Sequence, residues 1–282
     1  MALILPAYAK LNLTLDVIGR RPNGYHDIDS VMQTISLHDL LSVERTDCRV
    51  FEVIGPAIEG ENLVLKAARE LEGHLGRALP FTIRLFKRIP MGAGLGGGSA
   101  DAAAFLKAAN QLYDLRLKPE EMIEVATAIG QDVPFFIRGG TAHATGLGST
   151  VSLLPPAPAE WRFLVICPAI QVSTKAVYDA VDGTEPSGRR TPELIELLQT
   201  SLQRRGDLDE IFGNDLEPVT RRLFPDLERI IENLREPIPT ISMTGTGSAL
   251  FAVFDNRREA RTAFAAISKV HDAWLCRPVP AG

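Results

Sequence analysis

Pro90-Met91-Gly92-Ala93-Gly94-Leu95-Gly96-Gly97-Gly98-Ser99-Ala100-Asp101 is the stretch on which the reading of this chain turns. Five of the seven residues from 92 to 98 are glycine. Upstream, Phe81, Ile83 and Leu85 alternate with polar residues and predict a strand; downstream, an alanine-rich segment predicts a helix from about Ser99 to Leu112. Ser99 stands where an N-cap is expected, with Asp101 in the first turn. Glycine lets backbone N–H groups converge on a ligand without a Cβ in the way. The helix start adds four unpaired N–H groups and a partial positive charge. Together these make a site for polyanionic phosphate.

Gly92, Gly94 and Gly97 also satisfy the dinucleotide fingerprint Gly-x-Gly-x-x-Gly. That fold requires a second parallel strand ending in an acid that holds a ribose. Here the helix gives way to Leu117-Lys118-Pro119-Glu120-Glu121, which opens another helix instead. A P-loop would close on Gly-Lys-Ser or Gly-Lys-Thr, and no such ending follows. The loop is therefore a third kind of anion cradle.

With 282 residues, 45% apolar and 23% charged, the chain has an ordinary globular balance and can bury a substantial core or two smaller ones. A net charge of -5 points away from a protein that coats nucleic acid or a membrane surface. Cys48, Cys167 and Cys276 are widely spaced, without a metal-ligand pattern, and suit a reducing compartment. No metal site is expected from side chains alone. Met1-Ala2-Leu3-Ile4-Leu5-Pro6 carries no secretory pattern, and no apolar stretch approaches the ~20 residues a bilayer demands. The expectation is a soluble cytoplasmic protein, monomer or homodimer, with neither nucleic acid nor membrane as partner.

Leu11, Leu13, Leu15 and Val17 alternate with Asn12, Thr14 and Asp16, the periodicity of a strand, before the turn chemistry of Arg20-Arg21-Pro22-Asn23-Gly24. Further strands are predicted near Leu41–Arg45 and Val50–Ile54. A helix follows over about Asn62–Leu75, with Leu63, Ala67, Ala68, Leu71 and Leu75 on one stripe. Another helix is predicted over Pro119–Ile129, and a glycine-rich strand pair over 139–154. Pro155-Pro156-Ala157-Pro158 marks the expected boundary between domains at 1–155 and 156–282. Beyond it the pattern predicts a strand at Arg162–Cys167 and helices near Ser173–Ala180, Pro192–Arg204 and Phe224–Leu234. Thr240–Phe254 reads as strand-turn-strand, followed by a helix from Arg258 and a last strand near Trp274–Arg277. Strands and helices mix without strict alternation, so the fold class is α+β.

Four stretches, in order, resemble the GHMP kinase superfamily, which includes galactokinase, homoserine kinase, mevalonate kinase and phosphomevalonate kinase. They are Ala7–Leu15 with Arg21–Asp27, the glycine run, Gly130-Gln131-Asp132-Val133-Pro134-Phe135-Phe136, and Ser242–Leu250. The longer form Gly-Leu-Gly-Gly-Gly-Ser is most similar to the branch that phosphorylates a cytidine-diphosphate-linked methylerythritol. The resemblance spans almost the whole chain. It implies an N-terminal domain like the second domain of ribosomal S5, a ferredoxin-like C-terminal domain, ATP as phosphoryl donor, and Mg²⁺ with the ATP.

Residue roles follow from the same resemblance. Pro90 to Ser99 would cradle the triphosphate, and Asn62 and Lys87 fall where relatives hold the adenine end. Asp132 would receive the acceptor hydroxyl's proton, and Lys10 would keep that carboxylate ionised and stabilise charge on the transferred group. Asn12 would contact the erythritol part. Tyr25 would stack on cytosine, His26 would hydrogen-bond the base edge, and Tyr178 would be the second aromatic of that sandwich. Gly245, Thr246 and Gly247 would approach the phosphates. Most have a plainer alternative: the glycine run a flexible surface loop, Lys10 a solvated edge residue, Asp132 and Asn62 helix caps, Lys87 a solvated strand end, Tyr25 and His26 a partly buried turn, Tyr178 a core aromatic, the 244–248 glycines a hairpin turn. One departure stands out, since relatives commonly carry Ser-Ser after the glycines and this chain has Ser99-Ala100. Rival readings are a homoserine- or mevalonate-type kinase, a non-catalytic nucleotide-binding relative, and, disfavoured by the missing second strand, an NAD-binding oxidoreductase.

Overall fold

The computed structural model describes residues 2–57, 60–181, 190–200, 211–238 and 240–282; the expected helix over Pro192–Arg204 therefore lies partly outside the described residues. In chain order the elements are β1 (Ala2–Asn12), β2 (Thr14–Arg20), β3 (His26–Arg45), β4 (Val50–Ile54), α1 (Leu63–Leu75), β5 (Phe81–Phe86), α2 (Gly97–Leu112), α3 (Pro119–Ile129), α4 (Val133–Arg138), β6 (Thr141–Gly146) and β7 (Thr150–Leu153). There follow β8 (Arg162–Cys167), α5 (Thr174–Ala180), α6 (Arg190–Gln199), β9 (Gly213–Asn214), α7 (Glu217–Leu223), α8 (Pro225–Arg235), β10 (Ser242–Met243), β11 (Leu250–Phe254), α9 (Arg257–Ile267) and β12 (Asp272–Cys276). The class is α+β. Two compact units interleave along the chain: Met1–Ala9, Leu37–Pro90 and Gly96–Arg138 form one, and Lys10–Ser36, Met91–Leu95 and Gly139–Gly282 the other.

In the first unit, β5 pairs antiparallel with the second half of β3 (Leu40 opposite Phe86, Arg45 opposite Phe81) and parallel with β4. The inward set Phe81, Ile83 and Leu85 is buried, as the alternation predicts. α2 packs on α1 and α4, and the small side chains Ala100, Ala102, Ala103, Ala104, Ala108 and Ala109 are buried, so the neighbouring helices approach its backbone closely. Phe105 fills the remaining space edge-on to Phe81, with ring centroids 4.9 Å apart. α1 starts as its sequence predicts, with Asn62 accepting from Val64 N (2.8 Å), and stops at Gly76 in the left-handed region.

In the second unit, the first half of β3 pairs antiparallel with β2 (Asp16 opposite Asp29) and with β6 (Gln33 opposite Thr141), and β6 turns back into β7. β9 joins β2 in parallel. A separate antiparallel sheet runs β10-β11-β8-β12. α9 packs against β8, β11 and β12. Leu164, Ile166, Leu227, Ile231, Leu250, Ala252 and Ile267 form part of its core, each buried leucine or isoleucine contributing roughly 1.5–3 kcal/mol of burial.

Two departures from expectation bear on function. β3 runs for 20 residues, where only its last five were expected; its central stretch Ser30–Ile35 is buried on both faces, so no polar-apolar alternation marks that stretch. The alternating Leu11–Val17 segment is likewise no half-wet strand. Asn12, Thr14 and Asp16 are as buried as the leucines between them. Among the described residues no helix is long and apolar enough to cross a membrane.

Candidate functional site

In the second unit, β1 brings Lys10 to the glycine run by its backbone: Lys10 N donates to Leu95 O (3.0 Å). Its side chain is 3% exposed, which removes the solvated-edge alternative, and its ammonium donates to Asn12 Oδ1. Asn12 in turn donates through Nδ2 to Ser30 Oγ (2.8 Å) and through its backbone N to Thr244 Oγ1 (2.8 Å). Sequence positions 232 residues apart thus meet in one buried polar cluster.

Gly94 closes this cluster. It has φ +80, and a Cβ there would overlap the Thr244 carbonyl oxygen. Ala249 N donates to Ala93 O (3.1 Å), and a Cβ at Gly245 would lie 3.2 Å from Gly94 Cα and 3.6 Å from Lys10 Nζ. Lys10, Asn12, Gly94 and the Thr244–Gly245 turn are therefore mutual neighbours. Gly245 and Gly247 both have positive φ, the conformations that favour glycine over residues carrying a Cβ. Thr246 is buried, with its hydroxyl 3.0 Å from that of Thr174. Ala93 is buried and Pro90 half-buried, while Met91 and Gly92 are exposed.

The aromatic residues divide. His26 is buried and stacks on Tyr178, with ring centroids 5.6 Å apart and planes 26° apart. Tyr178 also packs on the apolar core around Leu164 and Ile166. Tyr25 is 63% exposed at the tip of a turn that Arg21 N and Tyr25 O close at 2.7 Å. The Arg21–Asp27 ion pair (2.6 Å) braces that turn; hydrogen bonding between them raises the Arg21 pKa and lowers that of Asp27.

In the first unit the structure corrects the helix start. α2 begins at Gly97, with Gly96 at the cap in the left-handed region, so Ser99 lies in the first turn rather than capping it. Glycine at 97 explains the shift. A Cβ at 97 would crowd Ile89 Cγ2 at 3.0 Å, whereas one at 98 would meet Leu63 Cδ1 at an ordinary 3.5 Å, so it is the small residue at 97 that lets the turn settle onto Ile89. The first helical hydrogen bond runs from Ala100 N to Gly96 O (2.9 Å). The amides of Gly97, Gly98 and Ser99 consequently have no carbonyl one turn back, the arrangement that accepts an anion.

Beneath this turn Lys87 Nζ is held by Asp39 and, at 2.8 Å, by Asp101 Oδ2. Lys87 is not a solvated strand end: its side chain is 4% exposed. Asp39 Oδ1 also accepts from the backbone N–H groups of Arg88 and Ile89. Burial pushes the Asp101 carboxyl up to about 7 in spite of Lys87, and the nearby carboxylates raise the Lys87 pKa against the opposing effect of burial. Asn62 caps α1 and Asp132 sits half-buried in the turn that enters α4, whose residues Val133 to Ile137 are all buried.

Sequence reasoning missed Asp39, Ser30, Asn214 and Glu217. Asn214 Nδ2 donates to both Met243 O (2.9 Å) and Gly245 O (2.7 Å), and Glu217 Oε2 accepts from Met243 N (3.1 Å). A local signal existed for this segment, since Asn214 two residues before Leu216 and Glu217-Pro218 has the pattern of a helix start. Among the described residues, no group of three or more His, Cys, Asp or Glu side chains could hold a metal ion.

The family description "GHMP kinases N terminal domain" matches residues 62–140, and "GHMP kinases C terminal" matches residues 192–273. A protein of Moorella thermoacetica named 4-diphosphocytidyl-2-C-methyl-D-erythritol kinase is 44% identical over 272 residues, covering 92% of each chain. One of the same name from Carboxydothermus hydrogenoformans is 35% identical, covering 99% of this chain and 98% of its own. A crystal structure of 4-(cytidine 5'-diphospho)-2C-methyl-D-erythritol kinase superposes with a TM-score of 0.81 at 33% identity, covering 99% of this chain and all of that one. Homoserine kinase from Cytophaga hutchinsonii shares the fold, with a TM-score of 0.76 at 17% identity.

Proposed function

The chain belongs to the GHMP kinase family, and from that membership we infer that it transfers the terminal phosphoryl group of ATP to the 2-hydroxyl of 4-diphosphocytidyl-2-C-methyl-D-erythritol, a step in non-mevalonate isoprenoid precursor synthesis. The observation that carries this reading is identity of 35–44% with enzymes of that name along nearly the full chain. The convergence of Lys10, Asn12, Gly94 and Thr244–Gly245, drawn from three separate motifs, supports it.

In this reading Asn62, Lys87 and the run Pro90–Ser99 serve the nucleotide, with the amides of Gly97, Gly98 and Ser99 donating to phosphate oxygens. The acceptor oxygen forms the new O–P bond while its proton passes to Asp132. The bond from the terminal phosphorus to the bridging oxygen breaks, and ADP leaves. Lys10 supplies positive charge to the transferred group, and Gly245, Thr246 and Gly247 contribute main-chain contacts to phosphate. Because the transition state is loose, the demand on these groups is position and electrostatics more than basicity. Asn12 meets the erythritol part, Tyr25 stacks on cytosine, His26 bonds the base edge and Tyr178 backs it. Mg²⁺ would neutralise phosphate charge; with no carboxylate cluster to cage it among the described residues, it would be held largely by the nucleotide's phosphates and water. The division at residues 155 and 156, a cytoplasmic location and a monomer or homodimer complete the reading.

An ATP-consumption assay with cytidine-diphosphate-linked polyols, homoserine and mevalonate tests it. Turnover with the cytidine-linked methylerythritol, and little with the other two, is the expected result. Equal turnover with homoserine or mevalonate would sink the acceptor assignment.

A further inference from the structure

We propose that Asn214 is a positioning residue for phosphoryl transfer, clamping carbonyls of the Met243–Thr246 turn so that the Thr246 amide faces the opposite side; the proposal rests on the kinase reading above. Asn214 is 5% exposed and belongs to no motif that pointed to the site. Its backbone is fixed by the parallel pairing of β9 with β2, where Asn214 lies opposite Leu15, Gly213 N donates to Leu13 O (3.3 Å) and Asp215 N donates to Leu15 O (2.9 Å).

The side-chain amide is fully committed. Both Nδ2 hydrogens go to carbonyls of the turn, Met243 O at 2.9 Å and Gly245 O at 2.7 Å, while Oδ1 accepts from Leu216 N at 2.9 Å at the start of α7. Only an NH₂ group satisfies two carbonyls at once, so the orientation of the amide follows from its partners. Neighbours reinforce the hold. Glu217 Oε2 accepts from Met243 N (3.1 Å), and Thr220 Oγ1, whose single proton is shared between Leu216 O (3.0 Å) and Thr246 O (3.3 Å), lies against the same turn.

A trans peptide unit carries its C=O and N–H on opposite sides. Gly245 O is drawn to Asn214, so the N–H of Thr246, in the same peptide plane, points away from it. Thr244 N does not compete for that role, because it donates to Ala249 O (3.1 Å). The turn whose amide is directed this way also touches Gly94, Asn12 and the region of Lys10 Nζ. Asn214 therefore sets the direction of a main-chain donor that serves the transferring phosphate, without itself touching substrate. A donor aimed in advance costs no reorganisation when charge develops.

The test is Asn214→Asp in the full-length protein. The carboxylate keeps an acceptor for Leu216 N but sets oxygens against two carbonyls. Kinetics with ATP and the cytidine-linked acceptor should show kcat down about 100-fold, with both KM values within about threefold, measured where circular dichroism shows the variant folded. Protonation restores one donor, so the ratio of variant to wild-type kcat should rise as pH is lowered from about 8 to about 6. A purely structural role predicts neither this split nor this pH trend. Should the aspartate variant not fold, Asn214→Ser keeps one neutral donor and should lose kcat in the same direction by less. A folded variant of either kind with wild-type kcat overturns the proposal alone. Wild-type protein that turns over none of the acceptors overturns the kinase reading, and the proposal with it.

Discussion

Lys87 Nζ donates to Asp101 Oδ2 across 2.8 Å, with both side chains all but sealed from water at 4% and 3% exposure. The bond joins the end of the strand entering the glycine run to the helix leaving it. Asp39 ties in the third side, engaging Lys87 and accepting from the backbone at 88 and 89. The start of α2 is thus braced underneath by a buried ionic cluster.

Lys87→Met should be severely destabilising, because it leaves two carboxylates buried without their counter-charge. A loss of about 3–5 kcal/mol is expected, seen as a fall of roughly 5 °C or more in Tm. A melting curve within a degree or two of wild type would contradict the bracing role.

The pH dependence of stability should carry the mark of Asp101. Its folded pKa, about 7, lies above the ordinary 3.8 because of burial. A carboxyl shifted upward binds its proton more tightly when folded. Its contribution is therefore fully present below the ordinary value and is lost as pH rises through the window from 3.8 to about 7. Relative to wild type, Asp101→Asn should gain stability steadily across that window and hold level above it. Parallel Tm-against-pH curves for the two proteins would rule this out.

Gly94→Ala and Gly92→Ala should differ sharply although both glycines have positive φ. At 94 the added Cβ meets the Thr244 carbonyl, whereas at 92 nothing lies within 4 Å. The first should cost about 100-fold in kcat/KM by displacing the turn, the second only the roughly 1–2 kcal/mol of a strained backbone. Equal losses in steady-state assays would show that the contact with Thr244 is irrelevant.

Asp132→Asn should lower kcat by about 10²–10⁴ while nucleotide binding, followed by calorimetry, holds near wild type. Undiminished turnover would remove Asp132 from the role of proton acceptor.

Tyr25→Ala removes an exposed ring and should leave Tm unchanged. Loss of a base-stacking surface, worth about 1–3 kcal/mol, should raise KM for the cytidine-linked acceptor about tenfold and leave KM for ATP alone. A KM for the acceptor that stays put would show that the base rests elsewhere.

Local order was legible wherever neighbouring residues settle it. α3 and β8 have the bounds read from Pro119–Ile129 and Arg162–Cys167, and the caps Asn62 and Ser173 act as their types suggest. Family resemblance named the residues now seen together at Lys10, Asn12, Gly94 and Gly245. What escaped was most of β3, whose centre at Ser30–Ile35 is buried on both faces and so carries no period-2 signal, and the helix start, which steric room beside Ile89 moved from Ser99 to Gly97.

The amino-acid order by itself determined a glycine-rich loop between a strand and a helix, and the α+β class around it, because backbone freedom, capping and periodicity act over a few residues. Tertiary structure alone decided that Lys87 answers to Asp39 and Asp101, that Asn12, Thr14 and Asp16 face inward, and that Asn214 grips the turn at Met243 and Gly245. Such pairings join residues far apart in sequence. Their partners are chosen by which polar groups burial would otherwise leave unsatisfied, a condition that no local pattern expresses.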